Sequence, residues 1–193
     1  MKKFYIIHGW DGSPSEPMLA WIGEQLKRKG YEVHLPSMPD PGVPVIEAWV
    51  SRLIEIAGTP DSESYFIGHS MGCQTIMRFL ETLPLETKVG GAVFIAGWLK
   101  LENLENDEVT AIAKPWLETS IDFEKVKSIC PNLKVFLSDN EPFGCVEENK
   151  KIFEEKLQAD VVVLHNKGHF TKDDGVTELP EALNAILKTT NPL

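Results

Sequence analysis

The stretch Ser64-Tyr65-Phe66-Ile67-Gly68-His69-Ser70-Met71-Gly72-Cys73-Gln74-Thr75-Ile76-Met77-Arg78-Phe79-Leu80 decides how the chain is read. Ser64–Ile67 is a short β-rich run, and the residues after Cys73 carry apolar side chains at helical spacing. A strand therefore feeds a helix through Gly68-His69-Ser70-Met71-Gly72, which fits Gly-x-Ser-x-Gly in the strand–turn–helix setting of a nucleophile elbow. The flanking glycines remove Cβ atoms where helix and strand approach closely. The helix N-terminus behind the serine favours developing negative charge. A tight glycine turn capped by a serine would show the same five letters, so the weight falls on the rest of the chain.

Working outward, β-rich runs alternate with helical patterns, the signature of a parallel sheet with crossover helices. Six runs read as strands: Lys3–His8, Tyr31–Leu35, Ser64–Gly68, Gly91–Ala96, Leu133–Ser138 and Asp160–His165. Ala92–Ala96 and Val161–Leu164 are almost continuously apolar and read as strands covered on both faces. Leu19, Ile22 and Leu26 share one helical face, as do Ile46, Val50, Leu53 and Ile54. Further helices are predicted over Ser70–Leu83, Cys145–Leu157 and Leu179–Leu187, with Gly30, Gly58 and Pro84 as stops. The longest interruption, Gly97 to about Ser120, is acidic at Glu102, Glu105, Asp107 and Glu108 and carries Trp98 and Trp116. It leaves a carboxyl end of the sheet, where ligands bind, and reads as a partial lid over residues 97–120.

Length and composition fit one domain over 1–193: 193 residues, 42% hydrophobic and 25% charged. Nineteen basic residues against 29 acidic ones give a net charge of −10, which repels a duplex or an anionic membrane surface. No apolar run approaches the roughly 20 residues of a membrane helix. The apolar start is too short for a signal peptide. Three cysteines, Cys73, Cys130 and Cys145, lack metal-ligand spacing and suit a reducing cytoplasm, so a cytoplasmic location is expected. Phosphate-binding, dinucleotide and zinc-protease motifs are missing, so no metal and no cofactor is expected.

A serine hydroxyl needs a base. Of five histidines, His169, in Gly168-His169-Phe170, follows the last strand and should open at the carboxyl edge beside Ser70. His165 ends a strand, His34 lies within one, His8 is expected to brace the loop after the first strand, and His69 is expected to turn away from the site. The imidazole then needs a carboxylate to fix its tautomer. Ser138-Asp139-Asn140-Glu141 offers two on one strand-end loop, and either is plausible by position. The order serine, acid, histidine is that of the α/β-hydrolases. The amides of Met71 and of Trp10, in Ile7-His8-Gly9-Trp10-Asp11-Gly12, are the natural oxyanion donors.

Ile-Ile-His-Gly, Met38-Pro39-Asp40-Pro41, Gly-His-Ser-Met-Gly-Cys, Lys114-Pro115-Trp116, Asp122-Phe123-Glu124-Lys125-Val126-Lys127 and Gly168-His169-Phe170 recur in one order. On these motifs the chain resembles, over nearly its full length, the small serine hydrolases of the retinoblastoma-binding-protein and YdeN type. The resemblance implies a three-layer α/β/α architecture, a reduced α/β-hydrolase fold with a six-stranded parallel sheet and minimal lid. It also implies a Ser–acid–His triad with Ser70 as nucleophile and His169 as base. The family's acid, typically the second aspartate of Asp-Asp three residues past the strand-ending serine, falls on Glu141 here; Asp139 is the fallback. A glutamate can serve, although its extra methylene shifts the carboxylate. The expected function is hydrolysis of a small ester, thioester or activated amide, the partner being that small-molecule substrate. The alternative is a protein-binding scaffold on a hydrolase fold. The family's vertebrate member has a Leu-x-Cys-x-Glu protein-binding motif; Phe143-Gly144-Cys145-Val146-Glu147 carries Phe for Leu at a helix start and reads as coincidence.

Overall fold

The structure, a computed structural model, describes residues 1–190; the last three residues of the expected 1–193 domain lie outside it. Six strands form one parallel sheet: β1 (Lys3–Ile7), β2 (Glu32–His34), β3 (Ser64–His69), β4 (Gly91–Ile95), β5 (Leu133–Ser138) and β6 (Asp160–Leu164). Their order is β2-β1-β3-β4-β5-β6. The chain steps outward from β1 to β2, then crosses back over β1 to β3. The crevice between the carboxyl ends of β1 and β3 is thus the topological switch point, where ligands bind in open α/β sheets.

Alternation along the strands divides the core into two layers. Phe4 and Ile6 of β1, with Tyr65 and Ile67 of β3, face the layer covered by α1 (Pro17–Arg28) and α7 (Pro180–Thr190). Tyr5, Ile7 and Phe66 face the layer covered by α2 (Ile46–Ala57), α3 (Met71–Thr82), α5 (Phe123–Ile129) and α6 (Val146–Leu157). Helix α3 is buried without a break from Met71 to Leu80, which explains its mixed apolar and polar sequence: it has no solvent face there. Helix α1 begins with Pro17 at its first turn, where a missing N–H costs nothing, and the chain leaves it through Gly30 at φ 83°. These elements make the three-layer α/β/α fold that the sequence implies.

Three details differ from the sequence reading. Apolar β6 is an edge strand, with Val163 exposed, so its apolar run does not report cover on both faces. The buried face of α2 is Trp49, Val50, Leu53 and Ala57, while Ile54 is exposed. Segment 97–120 contains a twelve-residue helix, α4 (Asp107–Glu118), and α5 follows it. Helix α4 hides from pattern reading because only Ala113 and Trp116 are buried and Pro115 sits inside it. Its start was nevertheless written: Asn106 caps it by accepting from the Val109 N–H at 2.9 Å, with Asp107 and Glu108 in the first turn.

Helix α4 is fastened at its carboxyl end. The buried Arg78 guanidinium donates to the carbonyl oxygens of Trp116 and Thr119 at 3.1 and 2.8 Å. The Trp116 indole donates to the Pro44 carbonyl at 3.1 Å. Cation and last-turn carbonyls complement each other, so the far end of this helix is held to the body of the fold. Among the described residues no helix is long and apolar enough to cross a membrane.

Candidate active site

Ser70 sits between β3 and α3 at φ 52° and ψ −119°, a strained conformation for a residue with a Cβ. The strain is enforced by its neighbours. A Cβ on Gly68 would lie 2.7 Å from the Cys73 backbone nitrogen, and one on Gly72 would overlap the Ile7 carbonyl. Only glycine at both positions lets the helix start so close to the strands.

His169 lies in the loop between β6 and α7. Its Nδ1 is 2.8 and 2.9 Å from the two Glu141 carboxylate oxygens, and both side chains are largely buried. Nδ1–H donates to the carboxylate, so the neutral ring keeps its lone pair on Nε2. Asp139, the fallback acid, is engaged elsewhere. Its carboxylate accepts from His165 Nδ1 at 2.6 Å and from the Asn166 N–H at 2.9 Å. Two further bonds knit these loops: Lys167 N–H to Ser138 Oγ at 2.9 Å and Gly168 N–H to Asn140 Oδ1 at 2.8 Å. These bonds tie the loop carrying Glu141 to the loop carrying His169.

Ser70, Met71, Trp10 and His169 line one cavity of about 210 Å³, with Trp98, Leu101, Leu104, Val109 and Phe143 as its apolar wall. Ser70 Oγ accepts a hydrogen bond from the Trp98 indole at 3.2 Å, and none joins it to His169. Trp98 is itself fixed, since Gln74 donates to its carbonyl at 3.2 Å and Asn149 accepts from the next two amides. The β1 loop is braced by His8, as its position implied: Nδ1–H meets the Gly9 carbonyl at 2.8 Å and Nε2 accepts from Met38 N–H at 3.0 Å. Asp11 and Gly12 donate their amides to Pro41 and Gly9. The Trp10 and Met71 amides have no acceptor among the described residues. Cys73, near Ser70 in sequence, is no rival nucleophile, because burial pushes its thiol far up.

His69 does not turn away. Its ring is buried beside that of His169, centroids 5.2 Å apart, and Nε2–H donates to the His169 carbonyl at 2.8 Å. The expectation erred by treating the residue before the serine as a plain strand position. The loop carrying His169 folds back onto the strand end, and nothing local in the sequence announces that contact.

Burial, then repulsion from His169, holds His69 down at about 3. Its folded value lies below the ordinary 6.5, so the unfolded chain takes up the proton first as pH falls. The stability it contributes is complete above that ordinary value and drains away toward pH 3. Between neutrality and about pH 4.5 the loss is about 2–3 kcal/mol. Glu16, raised by burial, offsets part of it by binding a proton in the folded state. In urea titrations at these two pH values, His69→Gln is expected to show a smaller acid loss than the wild type. An unchanged loss would remove His69 from the account.

A parallel α/β sheet with a serine on a strained elbow at its switch point, sharing a cavity with an imidazole backed by a carboxylate, is the arrangement of the α/β serine hydrolases. The chain belongs to the serine hydrolase family, whose model matches residues 4–188. It is 30% identical to YdeN of Bacillus subtilis (strain 168) over 181 residues, covering 93% of this chain and 91% of YdeN. It is 25% identical over 187 residues to the serine hydrolase RBBP9 of Rattus norvegicus, covering 96% of this chain and 88% of that one. The crystal structure of the B. subtilis ydeN gene product superposes with a TM-score of 0.89 at 26% identity, covering 98% and 99% of the two chains.

Proposed function

We propose that this enzyme cleaves a small carboxylic ester, thioester or activated amide through a Ser70–His169–Glu141 triad and an acyl-enzyme. His169 Nε2 takes the Ser70 proton as Oγ attacks the carbonyl carbon. The amides of Trp10 and Met71 receive the oxyanion, each worth roughly 3–4 kcal/mol in comparable sites. The carbon–leaving-group bond then breaks as His169 returns the proton to the departing atom. Water, deprotonated by His169, releases the acyl group as a carboxylic acid. Glu141 orients the ring and stabilises the imidazolium.

The observation that carries this reading is the His169 ring, held by the Glu141 carboxylate at 2.8 Å on the wall of the cavity that contains Ser70. The reading requires Oγ to turn from the Trp98 indole to Nε2 about its single χ1, and such catalytic bonds commonly tighten only with substrate engaged. Leu101, Leu104 and Val109 line that cavity, which supports reading the segment 97–120 as a partial lid. The scaffold alternative leaned on the glutamate at 141; a Glu141 carboxylate within hydrogen-bond reach of the His169 ring favours the enzyme reading over it.

A fluorophosphonate probe tests the proposal. Wild-type protein is expected to gain one phosphonyl adduct on Ser70, and Ser70→Ala none, with unchanged Tm. A wild type that takes no label and hydrolyses no p-nitrophenyl ester would sink it.

A further inference from the structure

Trp98 donates its indole N–H to Ser70 Oγ at 3.2 Å, and among the described residues that oxygen makes no other hydrogen bond. The indole N–H has no other acceptor there either. Both residues are buried, where a donor left without an acceptor is costly.

The surrounding chain holds the indole in this place. Strand β4 ends at Ile95, and Ala96 still gives its N–H to the Phe136 carbonyl at 2.9 Å. The backbone of Ala96 then takes φ 49°, a left-handed turn by a residue that carries a Cβ. Strain of this kind persists only where the surroundings over-determine it, and it clusters at functional sites. Here the surroundings are two buried amides. Gln74 donates to the Trp98 carbonyl at 3.2 Å, and Asn149 Oδ1 accepts from the N–H groups of Leu99 and Lys100 at 2.8 and 2.9 Å. Asn149 Nδ2 also donates to the Lys100 carbonyl at 2.9 Å. The two strained residues are linked as well, since the Ser70 N–H donates to the Ile95 carbonyl at 2.9 Å.

The indole bond acts differently in the two half-reactions. In acylation Oγ turns from Trp98 to His169 Nε2, so the bond gives the attack nothing. In the acyl-enzyme Oγ has lost its proton and can only accept, and the Nε2 lone pair of neutral His169 offers it no donor. The Trp98 N–H does. A donor on the ester oxygen draws electron density from the carbonyl carbon and takes up negative charge as that oxygen leaves. Water adds to the carbon and passes its proton to His169 Nε2. The C–Oγ bond then breaks, His169 returns the proton to Oγ, and the serine comes back to rest on the indole as the carboxylic acid departs.

We infer that the Trp98 indole N–H is a catalytic group of this site, one that speeds release of the acyl group from Ser70 and not its attachment. The assignment rests on the hydrolase mechanism proposed above and adds to it a donor for the departing serine oxygen.

Trp98→Phe removes the N–H and keeps an aromatic ring at that position. Benzothienylalanine placed at position 98 keeps the bicyclic shape too, with sulfur in place of N–H, and so separates the donor from the packing. With p-nitrophenyl butanoate, kcat/KM per active site reads acylation. Decay of the butanoyl-Ser70 adduct, followed by intact mass after rapid acid quenching, reads deacylation whatever fraction of the protein is folded. In both variants deacylation is expected to slow about tenfold while acylation stays within about threefold of the wild type or rises. The adduct then accumulates, and kcat and KM fall together. Equal slowing of both half-reactions in the benzothienylalanine protein, unslowed deacylation, or no adduct in either variant overturns the inference and leaves the mechanism standing. A wild type that neither takes the fluorophosphonate label nor turns over the ester removes the mechanism and the inference together.

Discussion

Glu141→Gln is expected to lower kcat by about ten-thousandfold while leaving Tm nearly unchanged. The size follows from what an amide cannot do in that place. A carboxylate accepts Nδ1–H and leaves the Nε2 lone pair free to take the Ser70 proton in the proposed mechanism; an amide can present its NH₂ instead and favour the opposite tautomer. It also gives no stabilisation to the imidazolium that forms as the proton moves. In triads of this design the corresponding change costs about four orders of magnitude. Two companion variants make the assignment discriminating. Glu141→Asp keeps the charge but withdraws the carboxylate by about one methylene, so a loss of about tenfold to a hundredfold is expected, mainly in kcat. Asp139→Asn weakens a pair bonded to His165 and to the Asn166 amide, and is expected to change kcat less than about tenfold. The reverse ranking of Asp139→Asn and Glu141→Gln in steady-state kinetics would move the acid to residue 139.

The same two acids show where sequence reading stops. Both lie on one loop after β5, and position alone leaves either plausible. What separates them is a pair of contacts made by residues about twenty-seven positions away: the ring of His165 reaches Asp139 and the ring of His169 reaches Glu141. A contact between two loops depends on strand register, and β5 pairs with β6 so that Ser138 stands beside Leu164. That register was not legible, although both strands were. The inner strands β1, β3, β4 and β5 were plain because buried parallel strands are written as apolar runs. The elbow was plain because it needs two glycines at fixed spacing. Helix α4 was not, since a helix with one proline and two buried residues has almost no apolar face to read. Trp98 was noticed only as an aromatic near a strand end. Its indole reaches Ser70 because Gln74 and Asn149 pin the chain after β4, and those partners come from α3 and α6. Local chemistry was thus legible wherever one segment supplied it, and illegible wherever two loops had to meet.

Gly72→Ala is expected to be the most damaging small substitution in the chain, costing more than about 3 kcal/mol and lowering Tm by about 10 °C. The reason is contact rather than conformation. Gly30 and Gly58 sit at φ 83° and 58° with open space around an added Cβ, so alanine there meets only the backbone preference, about 1 kcal/mol. At Gly72 an added methyl would overlap the Ile7 carbonyl and stand 2.8 Å from the His8 carbonyl oxygen. Neither is the end of a flexible side chain; both are backbone of β1 and its exit, locked between β2 and β3. The amino end of α3 must then back away from the sheet. Retreat moves Met71, on α3, away from Trp10, on the β1 loop, the two residues whose amides are proposed to hold the oxyanion. It also relaxes the turn that holds Ser70 at φ 52°. The variant is therefore expected to lose fluorophosphonate labelling even in the fraction that remains folded, whereas Gly30→Ala labels at the wild-type rate. Thermal melts and labelling rates on the two variants decide it. A Gly72→Ala protein with wild-type Tm and wild-type labelling would mean that the close approach of α3 to β1 is not what shapes the elbow.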